Sequence, residues 1–465
     1  MHALLLARWQ FGITTVYHFL FVPLTIGTAF LTAILQTLWL RSGEQRHLRA
    51  TKFWGRIFLI GFVLGVATGI VRQFQLGMAW SGSSRFVGDA LGAPLAIEGL
   101  LAFFLESTFL GLWVLGWDRL PRSLHTACIW IAACATALSA YFVLAVEGWM
   151  RHPVGYTLDP ARHVARLTSI RAVLGNSTVV LAFAHTMAAA FLISGMLLVA
   201  GSAWHLRRGR HHETMLPSLR VGLCSALIGG LATAVTGAVD GRIVTDQQPK
   251  TAAAAALYRA ARPASFSLFT VGSINGTSQG WSIRIPGLFS FLATGSFDGR
   301  VEGIDDIRTR EAVRYAPGVY HPVVPATYWN LRLMIAFGLL ATLIAVFGLW
   351  HTRAKAGRIG RARFYRVATW AVLLGPIGAG LGWILTAAGR LPWVVDGVLG
   401  ARPGDAPGGA AGAMWTSLIV LTLLYALLAA VEVGLMLRTV RRGPADLPGR
   451  EAGDGRPEPE LGFAY

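Results

Sequence analysis

Apolar residues along the chain fall into nine long runs, at 11–40, 53–77, 92–117, 125–148, 178–204, 217–239, 327–350, 367–388 and 413–438. A helix needs about 20 mostly apolar residues to cross a bilayer, and each run meets that length. The pattern predicts an all-α integral membrane protein with about nine transmembrane helices. Basic residues gather in alternate connections. Arg41, Arg46, Arg49 and Lys52 follow the first run, and Arg207, Arg208 and Arg210 follow the fifth. Arg353, Lys355, Arg358, Arg361, Arg363 and Arg366 follow the seventh, and Arg438, Arg441 and Arg442 the ninth. The positive-inside rule makes that side cytoplasmic, which puts the N-terminus outside and the C-terminus inside.

The same pattern divides the chain. Residues 1–239 hold the first six helices, 240–326 a long extracytoplasmic loop, 327–440 the last three helices, and 441–465 a tail rich in Pro, Gly and charge. The long loop mixes charge, prolines and short apolar patches, so it is expected to fold as a cap. The tail has the composition of a disordered segment. No internal repeat is evident.

Composition narrows the class. Of 465 residues, 54% are hydrophobic and only 14% charged, where a soluble domain carries about 25%. The net charge of +18 would suggest nucleic acid in a soluble protein, but here it sits in the short connections and reports topology. No nucleic-acid partner is expected. Cys128, Cys134 and Cys224 lie within apolar runs and form no CxxC pair, so neither a structural zinc nor covalently attached haem is implied.

Ionisable residues inside a membrane are costly and mark function. His18 lies in the first run, Glu98 and Glu106 in the third, His185 in the fifth, and Arg332 beside Met334 in the seventh. These four runs enter from the same side. His18, Glu98, His185 and Met334 each fall about six or seven residues in, roughly 10 Å below the outer boundary. Glu106 is about two turns deeper and about a quarter turn round from Glu98. Two His, one Met and a carboxylate in one layer suit haem, whose iron takes His or Met ligands, with Arg332 placed to neutralise a propionate. Each has a bland alternative: His as an interhelical hydrogen-bonding residue, Met as packing, Glu as a structural group. Glu147, at the end of its run, reads as a carboxylate that reaches water. His125, His205, His211 and His212 need no ligand role.

At these residues the chain resembles subunit I of the cytochrome bd quinol oxidases. RWQFGITTVYHFLFVPLTIGTAFL around His18, FVLGVATGIVRQFQLGMAW, VGDALGAPLAIEGLLAFFLESTFLGLWVLGWDRL with Glu98 and Glu106, FAHTMAAAF around His185, LRLMIAFG around Met334 and GRLPW carry the resemblance in order. It implies that His185 and Met334 are axial ligands of a low-spin haem b, with Arg332 beside it. His18 would be a ligand in a dihaem oxygen site of haem b and haem d; which of the two it holds stays open. Glu98 and Glu106 would stand near that site and its proton path. The resemblance further implies quinol oxidation at the outer face and reduction of O2 to water with cytoplasmic protons, without pumping. It also implies a bacterial plasma-membrane location and a partner subunit II, with or without a small accessory subunit.

Two places depart from the family pattern. In GPIGAGLGW, Gly380 stands where a Glu haem ligand is expected, so one high-spin haem is in question. In the quinol-loop segment QPKTAAAAALYRA, Gln248 is retained, but Thr251 takes the place of a Lys and Ala256 that of a Glu. Lys250, one residue early, is the candidate substitute. These departures leave a second reading: a family member that transfers electrons from another donor or carries fewer haems. A non-enzymatic haem sensor or assembly partner is a third.

Overall fold

A computed structural model of the chain describes residues 2–79, 81–159, 161–256, 260–272, 279–315, 322–352, 358–400 and 411–445. Among them, nine helices are long and apolar enough to cross a membrane. The first two spans are α1 (His2–Ser42) and α2 (Gln45–Ala79). The third is broken into α3 (Ser81–Ile97), a π turn (Glu98–Ala102) and α4 (Phe103–Leu115). The fourth is α5 (Arg122–Arg151). A hairpin, β1 (Tyr156–Asp159) with β2 (Val164–Leu167), and the short α6 (Ile170–Leu174) lead to the fifth and sixth, α7 (Ser177–Leu206) and α8 (His212–Gln247).

Between the sixth and seventh spans lie α9 (Pro249–Ala256), the antiparallel pair β3 (Phe266–Gly272) and β4 (Gln279–Ile285), α10 (Leu288–Thr294) and α11 (Ile304–Tyr315). The seventh span is α12 (Val324–His351). The eighth joins α13 (Arg358–Trp370) to α14 (Leu374–Arg390) through a short 3-10 turn. After the two-stranded β5 (Trp393–Val395) and β6 (Leu399–Gly400), α15 (Ala411–Arg442) is the ninth. Arg441 and Arg442, assigned above to the tail, still belong to α15, and 446–465 lie outside the described residues.

The helices overrun the apolar runs because their polar ends continue past the bilayer core. α7 and α8 are the most closely packed pair. A Cβ at Gly195 would lie 2.6 Å from the Ala226 nitrogen, and one at Gly222 2.8 Å from the Gly195 carbonyl oxygen. Small residues there bring the two backbones together, the usual glue of membrane helices. The main apolar core gathers Leu31, Trp54, Met196, Leu198 and Leu219 toward the end of the bundle that carries the basic connections. At the opposite end a smaller cluster of Val87, Trp149, Val173 and Val395 seats the β1–β2 and β5–β6 connections on the spans. Asp396 donates its backbone N–H to the Met150 carbonyl there, at 2.9 Å.

Candidate active site

Two histidines are held by the same device. His18 Nδ1 lies 3.0 Å from Thr68 Oγ1 on α2, and His185 Nδ1 lies 2.9 Å from Thr236 Oγ1 on α8. Each threonine hydroxyl already donates to the carbonyl four residues back, Leu64 at 2.9 Å and Ala232 at 2.8 Å. A hydroxyl has one hydrogen; with it given to the carbonyl, each threonine accepts from the imidazole, the arrangement that puts the ring proton on Nδ1. Nε2 is left with its lone pair, the state in which imidazole binds a metal. A glycine follows each threonine. A Cβ at Gly69 would stand 3.5 Å from His18 Cε1, and one at Gly237 3.3 Å from His185 Cε1.

His18 faces a cavity of about 320 Å³ walled by α1, α2, the third span and α5. Glu98 and Glu106 line the same cavity. An unbroken helix would set them about a quarter turn apart, as expected above. The π turn that starts at Glu98 spends one extra residue, which absorbs about 100° of rotation and brings the two carboxyls close to one face. α5 meets both: Ser139 Oγ donates to Glu98 Oε1 at 2.6 Å, and Thr136 Oγ1 is 2.6 Å from Glu106 Oε1. Thr136 is also 2.9 Å from the Ala132 carbonyl oxygen. Its single hydrogen can serve only one of these, so the Glu106 contact can carry a proton in either direction.

Glu147 corrects the expectation of a water-reaching end group. It is 5% exposed, under the β-hairpin connections, and accepts from Arg72 Nη2 at 2.9 Å. Arg390 Nη1 of α14 lies 3.6 Å from its other oxygen. Arg72 also lies over the rings of Phe19 and Phe11. Two guanidiniums against one carboxylate leave net positive charge beside the cavity, whose wall includes Arg72 and Glu147. Arg72 Nε and Arg390 Nη1 are buried without a hydrogen-bond partner among the described residues. An uncompensated buried cation is costly unless an anion joins it, so this wall fits the acidic edge of a cofactor.

His185 does not share the His18 cavity; its neighbour Thr186 lines that cavity instead, so α7 stands between the two sites. Met334 on α12 faces α14: a Cβ at Gly382 would fall 2.9 Å from its Sδ. Arg332, two residues and about 200° away, faces elsewhere. Its Nε and Nη2 donate to the Ser267 carbonyl and hydroxyl at 2.7 and 3.0 Å, and its Nη1 to the Tyr328 carbonyl at 2.8 Å. It therefore fastens β3 to α12.

The remaining candidates lie at α9. Gln248 caps α8, is 4% exposed, and its Nε2 has no hydrogen-bond partner among the described residues. The side chains of Lys250 and Ala256 lie outside the described residues. Thr251 Oγ1 donates to the Gly389 carbonyl at 3.0 Å, and a Cβ at Gly389 would meet the threonine methyl at 2.6 Å. That contact leaves no room for a longer side chain in the present packing. Gly380 packs on α1: a Cβ there would meet Leu20 at 3.2 Å and Val16 at 3.6 Å, the residues two positions either side of His18.

Sequence reading missed Arg72, Arg390 and Glu432 of α15, although Arg72 and Glu432 lie inside apolar runs where charge is itself the signal.

The family model described as cytochrome bd terminal oxidase subunit I matches residues 6–444. Cytochrome bd ubiquinol oxidase subunit 1 of Bacillus subtilis (strain 168) is 36% identical, over 95% of this chain and 94% of that protein. Cytochrome bd-II ubiquinol oxidase subunit 1 of Escherichia coli (strain K12) is 33% identical, over 95% and 96%. The solved bd oxidase from Geobacillus thermodenitrificans contains a chain that superposes with a TM-score of 0.86 at 25% identity, covering 95% of this chain and 99% of that one. With a family model spanning nearly its whole length and relatives above 30% identity, the chain belongs to the cytochrome bd terminal oxidase subunit I family.

Proposed function

We propose that the chain is the haem-bearing subunit of a membrane quinol:oxygen oxidoreductase. It oxidises quinol at the outer face and reduces O2 to water with protons taken from the cytoplasm. Charge separates because protons are released on one side and consumed from the other, with no pump. The observation that carries this reading is the paired histidine device, which presents a lone-pair Nε2 at His18 and at His185.

His185 Nε2 and Met334 Sδ would hold the iron of a low-spin haem b, and His18 Nε2 an iron of the haem b and haem d pair at the oxygen site. When bound, these groups supply electron transfer and the binding and reduction of oxygen. Arg72 and Arg390 supply positive charge for acidic edges on the His18 side, whereas Arg332, two residues from Met334, is engaged by Ser267 and Tyr328. Glu98 and Glu106, on one face with Ser139 and Thr136, pass protons along the cavity wall toward His18. Gln248, buried at the α8–α9 junction, and Lys250 are the quinol-side candidates. Subunit II, with or without a small accessory subunit, would cover part of the apolar surface that the outlying spans expose.

Gly380 supports the second reading, a divergent electron-transfer member with another donor or fewer haems, because its contact with α1 offers no ligand beside His18. One experiment separates the two: a reduced-minus-oxidised absorption spectrum of the purified complex, with quinol-driven oxygen uptake by the same membranes. A long-wavelength chlorin band beside the b-type bands, together with uptake, is expected. A low-spin b signal alone, without uptake, selects the second reading.

A further inference from the structure

Glu432 lies in the second half of α15, toward its basic end, and is 1% exposed. Tyr17 of α1 donates to its Oε2 at 3.1 Å, while Oε1 has no partner among the described residues. No cation lies within ion-pair reach of it among those residues, in contrast to Glu147 with its two arginines. A lone buried carboxylate with one hydrogen bond is costly, and the proton-bearing form is the one these surroundings accommodate.

The position of Oε1 connects Glu432 to the cavity. The point where a Cβ of Gly61 would stand is 3.8 Å from Glu432 Oε1 and 2.7 Å from Thr25 Oγ1. Thr25 lines the His18 cavity. Gly61 therefore presents no side chain of its own between an unpartnered carboxyl oxygen and a cavity hydroxyl, and the flexible tip of Met436, whose Cε lies 3.4 Å from the same point, borders the gap. Toward the basic end the apolar core includes Met436, Leu24 and Ile57. α15 also steadies the other side of the site: Tyr425 donates to the Thr68 carbonyl at 3.0 Å, and its ring meets Tyr17 edge-on.

We infer that Glu432 is an internal proton store for the His18 cavity, exchanging its proton past Gly61 and Thr25. This rests on the oxidase reading above and adds to it a third carboxyl, reached between α1 and α2. The proton leaves Oε1 for the cavity when negative charge gathers there, and the bond that Tyr17 already donates to Oε2 stays on the carboxylate. A proton returns by the same gap from the cavity, which Glu98 and Glu106 supply. One leaves and one returns, so no further reactant is needed.

The test is infrared difference spectroscopy of the purified complex on exchange from H2O to D2O, with Glu432→Gln, Tyr17→Phe and Gly61→Ala. A deuterium-sensitive carboxylic C=O band is expected that is absent in Glu432→Gln and displaced in Tyr17→Phe. In Gly61→Ala its exchange should slow, because the added methyl would fall 2.7 Å from Thr25 Oγ1 and 3.8 Å from Glu432 Oε1. Loss of a carboxylate band in place of a C=O band in Glu432→Gln overturns the inference, as does an unchanged exchange rate in Gly61→Ala. If Glu432→Gln fails to assemble, the other two variants decide the matter. The exchange experiment needs no turnover, so a failure of the oxidase reading would appear separately, in the absorption spectrum.

Discussion

At the scale of single residues, the threonines behind the two histidines are as informative as the histidines. Thr236→Val keeps the shape of the side chain and removes the acceptor for His185 Nδ1. Loss of such an outer partner weakens a metal site by roughly 10–100-fold. We expect Thr236→Val to lower low-spin haem occupancy on titration with haem, and Thr68→Val to do so only at the His18 site. His185→Ala and Met334→Leu should each abolish the low-spin signal and leave His18-linked haem; survival of the full signal in both would overturn the ligand assignment. Glu147→Gln leaves two buried guanidiniums uncompensated and should cost about 3–5 kcal/mol, seen as a lower melting temperature of the solubilised complex. His18, Glu98 and Glu106 could be read from the sequence because depth alone marks them. Depth marks Arg72 as well, but not its grouping with Glu147 and Arg390, since a linear run does not record which face turns to which helix. Glu147 looked wet because the short connections that fold over Trp149 and Val173 are far from it in function but near it in space.

Among elements, the third span shows how a local irregularity sets chemistry. Pro94, four residues before Glu98, removes one backbone donor, and the π turn follows. Pro94→Ala should restore a regular helix with the residue count unchanged and turn Glu98 about 100° away from the Glu106 face. The expected outcome is loss of the high-spin signals with the low-spin b band intact, checked by the reduced-minus-oxidised spectrum. Composition could not reveal this, because the run VGDALGAPLAIEGLLAFF is as apolar as a regular helix. The α12–α14 contact is similarly exact in size. Gly382→Val should push Met334 Sδ from its position and alter the low-spin band without changing the His18 site, which the same spectrum reads.

For the whole molecule, the nine runs and the nine spans agree, since bilayer thickness is a strong constraint on helix length. The order of the basic connections predicts a cytoplasmic C-terminus. A fluorescent protein fused after Tyr465, of a kind that matures only in the cytoplasm, should light up, and a dark fusion made at normal level would reverse the orientation. The arrangement of the cap was less legible. β3 and β4 lie in a segment whose anchoring depends on Arg332, a residue that from the sequence looked inward to a haem. Its partner, Ser267, is 65 residues away along the chain, and no local pattern announces such a pairing.

One consequence follows from α7 as the partition between His185 and the cavity that Thr186 lines. Consecutive residues of one helix point about 100° apart and face the two compartments, so their separation is less than one helix diameter of about 10–12 Å. That spacing is set by covalent geometry and does not drift when loops move or when lipid thickness changes. Under the proposed assignment an electron crosses between compartments through a dry wall of fixed gauge. The crossing rate should then be indifferent to ionic strength, whereas delivery of the electron from outside need not be.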